Sequence, residues 1–323
     1  MMVPSISVVV PVYNSQQSLP ILLNRLSVAL PALTQQYEAI LVNDCSRDRS
    51  AQVMEELADQ YPWLQCVHLL RNYGQHNALL CGIRQARHDI VITLDDDLQN
   101  PPEEIPKLLR VLAEGYDVVY GYPERESHGL LRDIASKMTK YSLQRTMGMK
   151  AASRVSSFRA FRTEVREGFR DYRGAFVSID VLLGWGAMKF GATPVENPPR
   201  TLGTSNYTVT KLIAHAMNMM TGFTTLPLQL ASILGFVFAL FGLCVLAFVI
   251  AMYLIHGQSV PGFAFLASVI VIFSGVQLFA LGIIGEYLAR MHFRLMDRPC
   301  YTIRQQTQRS AAPPSPPSVS VSS

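Results

Sequence analysis

The chain has 323 residues, of which 49% are hydrophobic, and its formal net charge at pH 7 is +4. A charge this small does not indicate a nucleic-acid-binding protein, for which a strongly basic surface is typical. The cysteines at positions 45, 66, 81, 244 and 300 form no Cys-x-x-Cys pair and no metal-ligand spacing. We therefore expect reduced thiols of a cytosolic protein rather than a disulfide framework or a zinc site.

Strands and helices alternate from the N-terminus to about residue 120. Apolar, β-branched runs predict strands at 6–12, 39–42, 67–70, 90–94 and 118–120. Amphipathic segments between them predict helices, the first from an N-cap at Ser18 to about Leu30 and the second over 51–60. This alternation predicts an α/β fold with a mostly parallel sheet and right-handed crossovers, and about 200 residues suffice for one such core.

Polar side chains follow four of the predicted strands at the point where each strand ends. They are Tyr13 and Asn14, Asp44, Arg71, and the acidic run Asp95 to Asp97. Because ligands of open α/β sheets bind at the carboxyl ends of the strands, we expect these side chains to converge on one rim.

The acidic run is the most informative part of that rim. Crowded carboxylates repel one another and raise each other's pKa unless a cation lies among them. Asp95 and Asp97 lie two apart on an extended backbone and can share one ion, and hard oxygen ligands suit Mg²⁺ or Mn²⁺. The alternative is an acidic turn that caps the helix after Pro101 and Pro102, but the three other polar strand ends favour a binding site.

Four segments carry a resemblance to a known family. They are Pro11-Val-Tyr-Asn14, Asn43-Asp-Cys-Ser46, Asn72-Tyr-Gly-Gln-His76 and Leu94-Asp-Asp-Asp-Leu-Gln-Asn-Pro-Pro102. The chain resembles the family 2 glycosyltransferases over residues 5–305, and within them the group that acts on polyprenyl phosphates. That group includes dolichyl-phosphate mannose synthase, the bactoprenol glucosyltransferases and undecaprenyl-phosphate 4-deoxy-4-formamido-L-arabinose transferase. The resemblance implies a Rossmann-like sheet of the GT-A type.

The resemblance also implies roles for individual residues. Asp95, Asp97 and Gln99 are expected to hold the divalent metal that bridges the donor diphosphate. Asp44 is expected at the nucleotide base or ribose. The full set expected to bind the nucleotide sugar is Pro11, Tyr13, Asn14, Asp44, Arg71, Asp95 and Asp96.

Arginines are expected to complete the site. Arg125 and Arg132 match arginines that the family uses near phosphates, and with Asp97 they are the expected catalytic residues. The residues expected at the lipid phosphate are Arg132, Arg159 and Arg200, with Arg162 as further nearby charge. For Arg125 and Arg132 the alternative is a role as surface salt-bridge partners of neighbouring carboxylates.

The chain departs from its resembled group at two places. Residues 152–155 contain no carboxylate, and Ser153 lies where many relatives carry an aspartate that has been considered as a base. Asn206 replaces a lysine that is common in the group. An anionic acceptor that needs no base explains the first departure; a different donor is the alternative.

Two long apolar runs, 228–255 and 263–284, follow the α/β part. Each exceeds the roughly 20 residues that a helix needs to cross a bilayer. The alternative, a pair of buried core helices, fits poorly with two such runs joined by so short a segment. Glycines in both runs permit hairpin packing or a homo-oligomer.

The basic residues predict the orientation of this hairpin. Arg200 and Lys211 precede it and four arginines follow it, whereas the connecting segment has no Lys or Arg. By the positive-inside rule both termini are expected in the cytoplasm of a bacterial cell, with the hairpin in the plasma membrane. The absence of a cleavable signal peptide before Ser5 agrees with this expectation.

The predicted organisation has five parts. They are a glycosyltransferase domain (1–206), a juxtamembrane amphipathic helix (207–225), two transmembrane helices (226–289), a cytosolic segment (290–306) and a disordered tail (307–323). For residues 209–217, an ordinary helix packed on the domain is the alternative to an interfacial one.

The resemblance thus implies an enzyme that moves one sugar from a nucleotide sugar, UDP-linked, to undecaprenyl or a similar polyprenyl phosphate at the cytoplasmic face, with inversion. One alternative is a non-catalytic membrane scaffold that keeps the fold. The other is a processive polysaccharide synthase, but neither Trp63 nor Trp185 is preceded by the arginine of a Gln-x-x-Arg-Trp element.

Overall fold

The computed structural model describes residues 4–123, 155–174, 177–198, 225–256 and 262–307. The strands are β1 (Ile6–Val12), β2 (Tyr37–Asn43), β3 (Leu64–Leu69), β4 (Ile90–Thr93), β5 (Val118–Pro123), β6 (Arg159–Arg162), β7 (Phe190–Val195) and β8 (Ile303–Gln306). The α-helices are α1 (Ser18–Leu33), α2 (Ser50–Gln60), α3 (Gln75–Gln85), α4 (Ile105–Ala113), α5 (Ile179–Gly186), α6 (Leu226–His256) and α7 (Phe263–Leu295). Short 3₁₀ helices cover Pro102–Glu104 and Thr163–Phe169.

The strands of the described residues form one mixed sheet in the order β7-β5-β6-β4-β1-β2-β3-β8. β1 pairs in parallel with β2 and β4, β2 with β3, and β5 with β7. β6 lies antiparallel between β4 and β5, and β8 lies antiparallel along β3. The predicted α/β fold with a mostly parallel core is confirmed, and β6, β7 and β8 are strands that the sequence pattern did not indicate.

Helices cover both faces of this sheet. Successive side chains of its strands are apolar and point to opposite faces, so each face needs a cover. Val8 and Val10 point to a core shared with α1, α2 and α4, whereas Val9 points to a core shared with α3 and α5. On the second face α3 packs very close to the sheet at Gly82, where an added Cβ would lie 2.4 Å from a methyl carbon of Val9. The core therefore has three layers with the sheet in the middle.

Two local predictions need correction. Ser18 is the first residue of α1 and not its N-cap, because its hydroxyl donates to the carbonyl of Ser15 (3.2 Å) instead of accepting from a helical N–H. β3 begins at Leu64, three residues before the predicted start, because Ala39 of β2 already pairs with Leu64.

α6 and α7 are long and apolar enough to cross a membrane. The candidate spans are Pro227–Ile255, of 29 residues, and Ile272–Leu295, of 24 residues, and no residue of their most apolar windows is buried. Phe238 and Phe273 meet edge to face between the two helices, with ring centroids 5.8 Å apart. The exposed apolar surface excludes the alternative of buried core helices and fits a hairpin in lipid.

The chain returns to the sheet after the second apolar helix. β8 pairs with β3, and the Thr307 N–H donates to the carbonyl of Cys66 (2.9 Å). The segment that follows the hairpin is therefore part of the same α/β sheet as the strands that precede the hairpin.

Candidate active site

Asp95 lies just beyond the carboxyl end of β4, and one hydrogen bond reaches each of its carboxylate oxygens. Gln75 Nε2, at the first residue of α3, donates to Oδ1 (2.6 Å), and Ser157 Oγ donates to Oδ2 (2.6 Å). Ser157 is there because β6 runs antiparallel to β4: Thr93 pairs with Arg159, so the residue two before Arg159 faces the residue two after Thr93. Sheet register thus fixes the orientation of this carboxylate.

Asp96 turns the other way and ties β4 to the end of β1. Its Oδ2 accepts the backbone N–H of Tyr13 (3.1 Å) and the hydroxyl of Ser15. These donors hold the turn after β1, which contains the predicted residues Tyr13 and Asn14, against the acidic run. Pro11 itself lies within β1, paired with Val42.

Asp97 and Gln99 form a tight turn at the end of the acidic run. The Gln99 N–H donates to Asp97 Oδ1 (3.1 Å), and Leu98 between them has a left-handed backbone with φ of +63°. Such a conformation costs a non-glycine residue roughly 1 kcal/mol or more and is found where function requires a special turn.

The loops after β1 and β2 hold each other through reciprocal bonds. Asn14 N–H donates to Ser46 Oγ (3.1 Å), and Asn14 Oδ1 accepts the N–H of Arg47 (2.8 Å). Asn14 and Cys45 both have φ of +57°. Left-handed residues therefore occur at the ends of β1, β2 and β4, all on the rim predicted to bind the ligand.

Asp44 ties the end of β2 to the loop after β3. Its two oxygens accept the N–H groups of Tyr73 and Gly74, each at 2.7 Å, and its exposed fraction is only 3%. Arg71 in that loop is exposed, with its guanidinium 4.7 Å from the centre of the Tyr73 ring. The predicted convergence of the four strand ends is thus present as a network of hydrogen bonds.

Burial and mutual repulsion make the carboxylates of the acidic run difficult to ionise together. Burial raises the pKa of Asp95, although bonds from Ser157 and Gln75 oppose the shift. Burial also raises the pKa of Asp96 to about 6, and the neighbouring carboxylates Asp95 and Asp97 add to the rise. Crowded carboxylates of this kind favour a bound cation.

The donor set fits a hard divalent cation held largely by its substrate. The described residues contain no group of three or more His, Cys, Asp and Glu side chains arranged to hold a metal ion. Asp95 and Asp97 can supply carboxylate oxygens, and Gln99 an amide oxygen. An ion held by one or two carboxylates and completed by phosphate oxygens and water is the usual form of a Mg²⁺ site.

Unlike the aspartates, the predicted residues Arg159 and Arg162 lie away from the rim. Arg159 is only 2% exposed; its guanidinium pairs with Asp180 and its Nε donates to the carbonyl of Ser157 (3.4 Å). It therefore supports the segment that holds Asp95 and is not presented on the rim. Arg162 pairs with Ile90, at the opposite end of β4 from the aspartates.

Several predicted residues lie outside the described part of the chain. They are Arg125, Arg132, Ser153, Arg200 and Asn206, with the segment 207–224. His76, at the start of α3, accepts the N–H of Ile179 (3.4 Å), which agrees with a histidine satisfied by backbone.

Ser15, Gln75 and Ser157 orient the aspartates but were not singled out from the sequence. Gln75 lies in a segment that carries the family resemblance and Ser157 does not, and their contacts depend on the start of α3 and on the register of β6. A hydroxyl or amide side chain carries no periodic signal that could have indicated these contacts.

Residues 7–169 match the model of a family described as Glycosyl transferase family 2. An undecaprenyl-phosphate 4-deoxy-4-formamido-L-arabinose transferase from Yersinia enterocolitica is 38% identical over 306 residues, which cover 94% of each chain. A transferase of the same name from Serratia proteamaculans is 39% identical, again over 94% of each chain. One from Pseudomonas fluorescens is 38% identical over 96% of this chain and 92% of its own.

A solved structure is also similar in fold. It is the glucosyl-3-phosphoglycerate synthase of Mycobacterium tuberculosis, crystallised with Mn²⁺, UDP and glucosyl-3-phosphoglycerate. It is 18% identical, covers 68% of this chain and 78% of its own, and gives a TM-score of 0.50. At this identity the likeness shows a shared fold alone.

Proposed function

The chain belongs to glycosyl transferase family 2, and from this premise we propose that it transfers a single sugar from a UDP-linked donor to undecaprenyl phosphate, with inversion, at the cytoplasmic face of the plasma membrane. The observation that carries the proposal is the rim of interlocked strand ends around Asp95, Asp96 and Asp97, on a chain that also has two candidate membrane helices. The names of the relatives supply the acceptor and a first candidate sugar.

The nucleotide sugar is proposed to lie on this rim. Asp95, Asp97 and Gln99 would hold a divalent cation, which supplies charge neutralisation to the donor diphosphate when bound. Asp44 holds the Tyr73–Gly74 loop beside the nucleotide, and the turn of Tyr13 and Asn14 forms the opposite side. Ser157 and Gln75 fix the Asp95 carboxylate, so that the site is organised before the donor arrives.

The acceptor explains why a general base is not needed. The nucleophile of a phosphate monoester is an oxygen that is already mostly ionised near neutral pH. The protein must then bring two anionic groups together, and guanidinium groups suit that task because they bind phosphate oxygens in a fork. Arg125, Arg132 and Arg200 are proposed for it, whereas Arg159 is proposed as the residue that positions Ser157.

The proposed membrane placement rests on the two apolar helices and on the segments around them. We propose that α6 and α7 form a transmembrane hairpin with the catalytic domain and both termini in the cytoplasm. The pairing of β8 with β3 supports the location of both ends of the hairpin on one side of the membrane, because the segment after α7 belongs to the sheet that precedes α6. The surplus of arginines after α7 supports the proposed orientation independently.

The test is release of nucleoside diphosphate by the full-length protein in detergent or nanodiscs. A panel of UDP-sugars, beginning with the UDP form of the sugar in the relatives' names, is offered with Mg²⁺ or Mn²⁺, with and without undecaprenyl phosphate. We expect release that requires donor, lipid phosphate and metal together. If donors bind but nucleoside diphosphate is released from no member of the panel, the result would favour the non-catalytic scaffold.

Two matched variants make this assay specific to the acidic run. Asp97→Asn removes a proposed ligand of the cation and is expected to lower the rate on the order of 100-fold or more. Asp89→Asn changes the aspartate just before β4. Its carboxylate accepts the hydroxyl of Ser5 at the opposite end of the strands from the rim. This substitution is expected to keep the rate within about twofold, as is usual for surface substitutions outside a site.

A further inference from the structure

A cavity of about 390 Å³ lies on the α3 side of the sheet, away from the aspartate rim. Its lining residues, called here the basic cavity, are Arg84, Arg166, Glu167, Arg170, Asp171 and Arg173. α3 begins at Gln75, which bonds Asp95, and Arg84 lies beside its last residue, so the two places are separated by one helix length of roughly 16 Å. The basic cavity is therefore a site distinct from the rim.

The charges around the basic cavity leave it positive. Its lining contains four guanidinium groups and two carboxylates. Glu167 lies 3.3 Å from Arg170 and 3.9 Å from Arg166, and Arg170 has a side chain that is 68% exposed. Such exposed ion pairs are weak, and a phosphate can replace them with forked, charge-assisted hydrogen bonds.

Two of the arginines are held in place by backbone carbonyls. Arg84 Nη2 donates to the carbonyl of Tyr172 (2.6 Å), and Arg166 Nη1 donates to those of Ile83 (3.1 Å) and Ala86 (2.6 Å). Guanidinium groups that are already held in place lose little further side-chain freedom when they bind an anion.

The basic cavity adjoins the end of the second membrane helix. Arg173 pairs with Asp297 (2.8 Å), two residues past the end of α7, and an adjoining cavity adds Trp185 and Arg294 to the lining. Trp185 is 48% exposed, and nearby Met188 is 92% exposed. Tryptophan and exposed apolar side chains next to arginines are typical of a surface at the level of lipid headgroups.

We propose that the basic cavity binds the phosphodiester headgroup of an anionic membrane phospholipid, and so fixes the catalytic domain against the bilayer. Its position beside α7 favours a headgroup over dissolved phosphate, since headgroups are concentrated at that level. The proposal rests on the membrane placement of α6 and α7, and it does not depend on sugar transfer.

The test uses Trp185 as a reporter in the full-length protein. Trp63→Phe leaves Trp185 as the single tryptophan, because the chain has two. The protein is placed in nanodiscs of phosphatidylglycerol and phosphatidylcholine in equal amounts, with bromine on the acyl chains of one lipid or of the other. Both discs carry the same surface charge and bromine content, so unequal quenching measures which lipid lies at Trp185.

We expect quenching by brominated phosphatidylglycerol to exceed that by brominated phosphatidylcholine at least about twofold. Arg170→Gln with Arg173→Gln is expected to bring the ratio to one, whereas Arg170→Lys with Arg173→Lys, which keeps the charge, is expected to keep part of the excess. The control pair Arg25→Gln and Arg110→Gln removes the same charge from α1 and α4, on the other face of the sheet, and is expected to leave the ratio unchanged.

Equal quenching by the two brominated lipids in the Trp63→Phe protein would overturn the proposal. Equal quenching together with a change in Trp185 fluorescence on addition of inorganic phosphate would assign the cavity to free phosphate instead. The quenching ratio requires no turnover, so an inactive protein can still give the expected result. Equal quenching by the two lipids would contradict the lipid site alone, because the proposed activity is tested separately by the release of nucleoside diphosphate.

Discussion

At the residue scale, Asp44 shows how one carboxylate organises two loops of the rim. Both of its oxygens accept backbone N–H groups from the loop after β3, and Gly74 in that loop has φ of +92°. Burial raises the pKa of Asp44, although the two N–H donors lower it. The geometry thus adds a structural role to the nucleotide contact that the family resemblance implies.

Asp44→Asn is expected to weaken donor binding and to lower stability. An asparagine offers one acceptor oxygen where two N–H groups need partners, and a buried donor left unpaired costs about 1–3 kcal/mol. The measurements are the KM for the nucleotide sugar and the thermal midpoint in detergent. Asp89→Asn changes a carboxylate that accepts from Ser5 at the far end of the strands, and it is expected to leave the KM unchanged. A KM unaffected in both variants would show that Asp44 has no influence on the donor site.

Cys45 occupies a left-handed position on the rim with φ of +57°. Cys45→Gly is expected to keep activity and to change stability by less than about 1 kcal/mol, because relief of backbone strain and the greater entropy of the unfolded chain offset each other. Cys45→Val is expected to destabilise the protein and raise the KM, because a β-branched residue is poorly tolerated at positive φ. Equal thermal midpoints for the two variants would contradict the assigned backbone conformation.

Two other cysteines are buried in the core. Burial raises the pKa of the Cys66 and Cys81 thiols to about 12. Because the thiolate is the nucleophile, we expect iodoacetamide at pH 8 to leave both unmodified in the folded protein and to modify both after denaturation. Peptide mass mapping distinguishes these sites from half-buried Cys45, and prompt labelling of Cys66 before denaturation would be inconsistent with this burial.

At the element scale, β8 is the outer strand beside β3, and a chain of hydrogen bonds links it to the rim. Thr307 Oγ1 donates to Glu55, Glu55 lies 2.8 Å from His68 Nε2, and His68 Nδ1 lies 3.1 Å from Asn43 Nδ2. Asn43 Oδ1 in turn accepts the N–H of Ser46. The segment after the membrane helices therefore supports the loop that follows β2.

Truncation separates this role from that of the C-terminal tail. A chain that ends after Cys300 loses β8 and leaves the edge of β3 unpaired, so we expect a lower thermal midpoint and more aggregation. A chain that ends after Thr307 keeps β8 and loses only the Pro- and Ser-rich tail, and its midpoint is expected to equal that of the full chain. Thermal scanning and size-exclusion chromatography measure both, and a stable, monodisperse shorter truncation would contradict the role of β8.

At the scale of the whole molecule, the segments around α6 and α7 bear on the proposed orientation of the enzyme in the membrane. The basic residues flank the hairpin and are absent from the connecting segment, and β8 returns to the sheet. The same arrangement places the basic cavity next to the end of α7. The proposed orientation and the proposed lipid contact therefore both depend on the placement of α7.

Cysteine labelling in intact cells tests the orientation. Ser259→Cys lies in the connecting segment and is expected to react with a membrane-impermeant maleimide in spheroplasts. Ser310→Cys lies after β8 and is expected to react only after the membrane is permeabilised, because the surplus of Arg retains that side in the cytoplasm. The reverse labelling pattern would place the catalytic domain outside.

Much of the architecture could be predicted from local pattern. Periodicity indicated β1, β2, β4 and β5 and the helices between them, and the two long apolar runs indicated α6 and α7. β6 (Arg-Ala-Phe-Arg), β7 (Phe-Gly-Ala-Thr-Pro-Val) and β8 (Ile-Arg-Gln-Gln) escaped prediction because none of them is a continuous apolar, β-branched run like the short β4.

The sequence alone determined the α/β class, the family, the membrane helices and the set of polar strand ends, since these depend on composition, period and motif. Only the tertiary structure decided how the strand ends hold one another. The antiparallel register of β6 brings Ser157 to Asp95, and the burial of Arg159 against Asp180 removes that arginine from the rim. Both depend on contacts between residues distant in the chain, which a local pattern does not encode.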